Sequence, residues 1–226
     1  MADPIVDSWN ANASAWISTI ENEDLESRKL VTNQAIVETI VKHKPKKVLD
    51  VGCGEGWLCR ALQSSGIETL GVDAVADFIT YARQQKQGQF EVASYQDLIQ
   101  HKPLPLTPFD AATINFALLD QEVTKELLPA LHHYLSRPGW LFIQTLHPYV
   151  LENEVPYKSG WRNEDWSLMK RQFTQPYRWY YRTLEDWIAL FSQSGYRLVE
   201  IREPLHPKTQ RPVSIIFGLQ NGNRNL

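Results

Sequence analysis

Two carboxylates and a glycine turn carry the first chemical signal in this 226-residue chain. Asp50 stands next to last in an apolar run, Val48 to Val51. That run empties into Gly52-Cys53-Gly54-Glu55-Gly56, and a helical pattern begins at Trp57. Asp73 closes the next apolar run, in LGVDAV, 21 residues after Gly52. Glycines at a strand-to-helix turn let backbone approach a ligand closely. Three ligands compete for such a turn. A phosphate cradle needs GxxxxGK[ST], and the chain has no Gly-Lys pair. A dinucleotide fingerprint reads GxGxxG. Here the turn reads GxGxG, and Trp57 follows it, too bulky for close helix–strand packing or for a pyrophosphate. A nucleoside without phosphate needs close backbone and two acids. A carboxylate accepts from both hydroxyls of a ribose, so Asp73 suits O2′ and O3′ and repels a 2′-phosphate. Two acids at the ends of adjoining buried strands are hard to explain structurally.

These residues need a scaffold that gathers strand ends on one edge. Apolar runs at Lys47–Val51, Glu68–Val72, Gln89–Ala93, Asp110–Asn115 and Trp140–Thr145 read as strands. Helical patterns lie between them, at Trp57–Ser65, Val75–Gln85 and Gln121–Leu135, with a short turn at Tyr95–Gln100. Such alternation predicts a parallel sheet covered on both faces. Ahead of it, residues 5 to 43 read as two helices. The first puts Trp9 and Trp16 on one face, and the second runs from about Leu25 until Pro45 ends it. After His147 the pattern breaks. Residues 150–182 lack clear periodicity and hold eight of the 25 aromatics. A helix at Thr183–Ser194 and two strands, Tyr196–Glu203 and Val213–Leu219, finish the chain. The short link between those strands leaves no room for a crossover helix, so they pair antiparallel.

Composition narrows the class. Hydrophobic residues make up 43% and charged residues 22%, with a net charge of −3, an ordinary soluble profile with no general nucleic-acid-binding face. No apolar run approaches a membrane span, and MADPIVDSWN has neither the basic nor the apolar region of a secretory signal. The two cysteines, Cys53 and Cys59, fit neither a metal spacing nor a disulfide framework. A cytoplasmic protein in a reducing compartment is expected, with no metal, no DNA partner and no membrane partner.

VLDVGCGEG followed by GVDAV resembles the first two motifs of class I S-adenosylmethionine-dependent methyltransferases. FEVASYQDL, FDAATINFALLD and PGWLFIQTLHP are similar to the later motifs of that family, and the closing hairpin to its reversed last strand. The resemblance covers residues 46–147 and 183–219. It implies one Rossmann-like α/β domain over residues 1–226, with helices on both faces of a seven-stranded mixed sheet. Counting the sheet strands in chain order, the implied order is 3-2-1-4-5-7-6, with strand 7 antiparallel. Residues 1–44 become an N-terminal helical cap and 150–182 a substrate lid. It further implies that S-adenosylmethionine binds at Asp50 and the turn Gly52, Cys53, Gly54 and Gly56. Asp73 takes the ribose, and Ala74 or Val75 lies against the adenine. Ser94 and Tyr95 also reach the adenine, with Asp97 considered beside them, while Asn115 and Phe116 line the methionine and methyl group. S-adenosylhomocysteine is the product.

Two further readings concern the reaction. His147, just past the fifth strand, is the candidate base, against a bland role in bonding a loop. Arg28 on the second helix suits the methionine carboxylate, against a solvated helix face. The aromatics and basic residues of the insert suit a planar or anionic small molecule, methylated on oxygen, nitrogen or carbon. An aromatic stretch serves equally as lid core or as a homodimer contact. RNA or protein acceptors, a non-catalytic donor-binding module and a nicotinamide-dependent dehydrogenase are the rival readings.

Overall fold

The computed structural model describes residues 3–149, 156–164, 166–167 and 169–222. Parts of the expected lid, residues 150–155, 165 and 168, lie outside the described residues. Seven strands form the main sheet: β1 (Lys47–Val51), β2 (Glu68–Asp73), β3 (Gln89–Val92), β4 (Phe109–Asn115), β5 (Leu135–Leu146), β8 (Tyr196–Arg202) and β9 (Ser214–Asn221). Their order is β3-β2-β1-β4-β5-β9-β8. Strands β1 to β5 pair in parallel, and β9 runs antiparallel between β5 and β8. This is the expected order with its reversed last strand. It places the carboxyl ends of β1, β2, β4 and β5 along one edge, where open α/β sheets bind ligands.

Alternation along each strand fills the two faces. On one side Leu49, Leu70, Ile114 and Phe217 pack against α6 (Glu122–Ala130) and α7 (Leu184–Gln193). On the other, Val48, Ala111, Phe142 and Ile216 pack against α2 (Asn33–Lys42) and α3 (Trp57–Gln63). Each fully buried Leu, Ile or Phe contributes about 1.5–3 kcal/mol, so both helix layers are held firmly to the sheet. Asp50 points to the α3 side, where an apolar residue would otherwise stand.

Three features differ from the sequence reading. The helix expected over 121–135 ends at Ala130, and a 3₁₀ turn over Leu131–His133 leads directly into β5. Strand β5 then starts five residues earlier than the hydrophobic run suggests, because a register irregularity against β4 lies between Phe109 and Ala111. The second helix opens with a π turn, Arg28–Thr32, before α2. The insert also carries structure that its irregular pattern hides. Strands β6 (Gly160–Glu164) and β7 (Tyr177–Tyr181) form a two-stranded antiparallel sheet of their own.

Candidate active site

The turn after β1 is fixed by backbone bonds. Gly52 and Cys53 both donate to the Val72 carbonyl, at 2.8 and 3.0 Å. Gly54 donates to Asp73 Oδ2 at 2.8 Å, and Val75 donates to Asp73 Oδ1 at 2.9 Å. Asp73 therefore holds the glycine turn to the end of β2 and keeps accepting capacity on both oxygens. Two glycines are required for different reasons. Gly52 has φ +75°, and a Cβ there would stand 2.7 Å from both the Tyr95 hydroxyl and Ala117 Cβ. Gly54 has φ +55°, and a Cβ there would meet only Trp16 Nε1, at 3.9 Å. The first glycine is pressed from within the fold. The second presents open backbone under a single indole from α1 (Pro4–Glu21).

Charged groups surround the turn in little water. Asp50 is 1% exposed. Cys59 Sγ donates to its Oδ2 at 3.6 Å, and its Oδ1 has no partner. Burial pushes its carboxyl up to about 7, a shift the Cys59 contact opposes. Burial also raises the Asp73 carboxyl, against the backbone amides of Val75, Gly54 and Ala74. Glu55 pairs with Arg60 at 2.7 Å through Oε2 and leaves Oε1 unpartnered. Arg28 completes the set. Its guanidinium lies 5.7 Å from the Trp16 ring centre and 5.0 Å from that of Trp57. Burial lowers it to about 10, opposed by the charge of Glu55, and its Nη2 is buried with no partner. Unpartnered buried polar groups are costly and call for a ligand or a role. Orphan acceptors on Asp50 and Glu55 with an orphan donor on Arg28 fit a zwitterion, and Asp73 fits a diol beside it.

The far wall comes from β4 and β5. Asn115 ends β4 with its Oδ1 buried and unpartnered. Phe116 follows at φ +55°, where a bulky side chain is strained. Its amide donates to the Gln144 carbonyl at 2.8 Å, and the turn it makes lets the Ala117 carbonyl accept from the Tyr95 hydroxyl at 2.9 Å. Tyr95 thus spans from the glycine turn to the β4 loop. Ser94 caps α5 (Tyr95–Ile99) in a capping box with Asp97. The Ser94 backbone amide and hydroxyl hold the Asp97 carboxyl below its usual range, so Asp97 serves the helix end.

His147 is 4% exposed, and both ring nitrogens are engaged. Nε2 meets Glu203 Oε1 at 2.7 Å, and Nδ1 accepts from the Tyr149 amide at 3.2 Å. The Tyr149 bond makes Nδ1 an acceptor, so Nε2 carries the proton toward Glu203. His132 bonds the Ser194 carbonyl at 2.8 Å, in the turn after α6.

The side facing the turn is built by α1 and the insert. Ser8 and Asn12 are buried on α1. The Asn12 amide donates to the Gln175 carbonyl at 2.9 Å, and its Oδ1 accepts from the Thr174 amide at 2.7 Å. Ser8 and Trp166 Nε1 donate to the same Gln175 carbonyl, at 2.5 and 2.8 Å. Trp9 packs beside this clasp, its ring centre 5.2 Å from Trp166 and 5.7 Å from Tyr177. The Tyr180 amide donates to the Leu119 carbonyl at 2.7 Å, and Arg182 donates to the carbonyls of Asp120 and Gln121, both at 3.0 Å. The insert is thereby anchored to α1 and to the loop after β4.

A methyltransferase-domain family model matches residues 26–201. The chain belongs to this family. Its fold is that of the class I S-adenosylmethionine-dependent methyltransferases. An uncharacterised protein of Haemophilus influenzae is 26% identical over 199 residues, covering 78% of this chain and 77% of that protein. A ubiquinone biosynthesis O-methyltransferase of Xylella fastidiosa is 31% identical over 106 residues, covering 45% of this chain and 42% of that protein. The chain thus matches less than half the length of that curated enzyme. The 1,6-didemethyltoxoflavin-N1-methyltransferase of Burkholderia thailandensis, solved with its acceptor and S-adenosylhomocysteine, superposes with a TM-score of 0.64 at 15% identity. That match covers 99% of this chain and 92% of the other.

Within the methyltransferase, Asp50, Gly52, Gly54, Asp73, Tyr95, Asn115, Phe116 and Arg28 come together around one turn. Cys53 and Gly56 belong to its backbone, and Ala74 follows Asp73. Ser94 stands at the same edge with its side chain committed to α5. His147 lies at the end of β5, with its ring turned to Glu203. Sequence reading missed the Ser8–Asn12 clasp. Its signal is two polar residues at i and i+4 on a helix whose neighbouring positions carry tryptophans. It also missed the basic side chains' engagements. Arg171 pairs with Asp24 at 2.7 Å, and Arg162 donates to the carbonyls of Lys158 and Trp161 with its guanidinium over Tyr181. With Arg182 bound as above, these cations brace the insert.

Proposed function

We propose that this methyltransferase transfers the methyl group of S-adenosylmethionine to a small-molecule acceptor on oxygen, nitrogen or carbon. The observation that carries the reading is the paired ends of β1 and β2. Asp50 and Asp73 flank an open glycine turn, and Arg28, its Nη2 buried without a partner, lies over Trp57 just past that turn. In this reading Arg28 takes the donor's carboxylate, Asp50 and Glu55 face its ammonium, and Asp73 holds the ribose hydroxyls. The donor, when bound, supplies an activated methyl on a sulfonium: the S–CH₃ bond breaks with its electron pair left on sulfur, and an acceptor lone pair makes the new bond. The protein's share is alignment and exclusion of water. Asn115 and Phe116 form the wall beside the methyl position, and α1 with the insert covers the acceptor. A small-molecule acceptor is favoured by likeness to the Xylella and Burkholderia enzymes and by the anchored insert. The free, buried thiols Cys53 and Cys59 suit a reducing cytoplasm.

The test is calorimetric titration with S-adenosylmethionine, S-adenosylhomocysteine and NAD, one at a time. The first two bind and NAD does not. Asp73→Ala weakens S-adenosylhomocysteine by about 1–3 kcal/mol, the scale of hydrogen bonds to a charged group. Binding of NAD alone ends the reading.

For acceptors that lose a proton, His147 is the base. Glu203 orients the ring, and Nδ1 exchanges the Tyr149 amide for the acceptor proton. His147→Ala then lowers kcat on such an acceptor by roughly 10²–10⁴. An unchanged kcat assigns His147 to the loop alone.

A further inference from the structure

A cleft of about 590 Å³ lies between the start of α1, the loop after β4 and the β6–β7 hairpin. That volume is in the range of small-molecule sites. Its walls combine ring surface with acid. Trp161 and Tyr177 supply the rings, Asp3, Asp120 and Glu164 supply carboxylates, and Arg178 is the one cation among the described lining residues. Each carboxylate gives one oxygen to backbone amides. Asp3 Oδ1 accepts from Ile5 and Val6, at 2.9 and 3.3 Å, Asp120 Oδ1 from Val123 at 2.8 Å, and Glu164 Oε1 from Trp166 at 2.8 Å. The second oxygen of each has no partner among the described residues. Arg178 pairs with none of them there. Its guanidinium lies over the Trp161 ring instead, 5.2 Å from the centre, so this wall already seats a cation on an aromatic face.

The loop after β4 links the cleft to the glycine turn. Its Ala117 carbonyl accepts from the Tyr95 hydroxyl at 2.9 Å, and that hydroxyl would stand 2.7 Å from a Cβ placed on Gly52. Asp120 follows Phe116 by four residues, and its loop is tied to β7 through the Tyr180–Leu119 bond. Two of the basic residues that suggested an anionic acceptor are occupied elsewhere: Arg171 on Asp24, Arg182 on the carbonyls of Asp120 and Gln121.

We propose that the cleft receives a planar acceptor bearing a protonated basic nitrogen, its ring against Trp161 and its cation facing Asp3 and Asp120. Three carboxylates against one guanidinium attract such a ligand and repel its carboxylate analogue. Aromatic faces add to the attraction for a desolvated cation. The proposal rests on the methyltransferase reading above, because the donor turn gives the cleft its purpose.

Three indoles of similar shape and different charge test it: tryptamine, 3-ethylindole and indole-3-propionate. Each is titrated calorimetrically into the full chain saturated with S-adenosylhomocysteine. Tryptamine binds tightest, about tenfold or more above indole-3-propionate. Asp120→Asn and Asp3→Asn keep an oxygen for the backbone amides and lose the charge. Each lowers tryptamine affinity about three- to tenfold and leaves S-adenosylhomocysteine affinity unchanged. Equal or tighter binding of indole-3-propionate overturns the proposal. So does tryptamine affinity that ignores both variants, or failure of all three probes to bind. The product titration separates the two levels. Without S-adenosylhomocysteine binding, the donor reading falls. With it intact and the charge ranking inverted, only the acceptor class falls.

Discussion

The glycine turn after β1 and the cleft beside the β6–β7 hairpin are held by opposite means. The turn hangs on the sheet. Its geometry comes from backbone bonds to Val72 and from Asp73, all at the ends of strands buried on both faces. The cleft hangs on a few side chains. Asn12 and Ser8 grip the insert at residues 174 and 175, and Trp9 packs beside them. A site fixed by the sheet tolerates change in most side chains and fails only where the backbone itself is contested. A site fixed by a clasp fails when the clasp does. Donor recognition and acceptor recognition should therefore break separately.

The largest effect belongs to the turn. Gly52→Ala places a Cβ at φ +75°, 2.7 Å from the Tyr95 hydroxyl and from Ala117 Cβ. Neither neighbour is the free end of a flexible chain, since the hydroxyl is bonded to the Ala117 carbonyl. Left-handed strain and overpacking together are expected to cost about 2–4 kcal/mol of stability. Urea unfolding gives the stability, and calorimetry shows S-adenosylhomocysteine affinity falling with it. A variant as stable as the parent would mean that Tyr95 moves freely, and the contrast between a rigid turn and a clasped insert would lose its first half.

Asn12→Ala should act on the other half. The Thr174 amide loses its acceptor, while the Gln175 carbonyl keeps Ser8 and Trp166. One stranded buried donor costs about 1–3 kcal/mol. The loss is expected as faster proteolysis within residues 156–182 and a raised acceptor KM, with S-adenosylhomocysteine affinity unchanged. Equal losses of donor and acceptor binding would show that α1 couples the two sites through Trp16.

The same contrast explains what was legible in the sequence. Strand ends at Val51 and Asp73 are announced by apolar runs bounded by glycine or acid, and the one at Asn115 by its apolar run alone, because buried parallel strands must be continuously apolar. The glycine turn and its two acids follow from chemistry confined to a few adjacent positions. The clasp does not, since Asn12 finds its partner 162 residues away and no local pattern encodes that meeting. The β6–β7 hairpin is hidden for a related reason. Trp161, Arg162, Trp179 and Tyr180 pack partly against one another and partly face solvent, so polar and apolar residues do not alternate cleanly. The π turn that presents Arg28 depends on packing among Trp16, Trp57 and the guanidinium, which composition cannot reveal. His147 shows the limit in the other direction. Its place after β5 was readable, and its partner Glu203 was not, because that residue arrives from beyond β8.

Most diagnostic of a sheet-fixed site is the titration of Asp50, whose effect fades toward acid pH. Burial raises its carboxyl to about 7 in the folded chain, well above the value of about 3.9 for an exposed aspartate. Between those values the folded state keeps a proton that the unfolded state has shed. The stability this group contributes is therefore complete below about pH 4, declines as pH rises, and is gone above about pH 7. Asp73 and Glu55, also raised by burial, add slopes of the same sign. Asp50→Asn removes one of these slopes, so thermal unfolding of the variant should vary less between pH 4 and 7 than that of the parent. The difference between the two proteins should narrow toward the acid end, where Asp50 is protonated in both states and resembles the neutral amide. A variant whose unfolding temperature tracks the parent at every pH would mean that Asp50 is solvated in the folded state. The turn would then be open to water on its inner side, and its hold on the sheet would be no firmer than the clasp's hold on the insert.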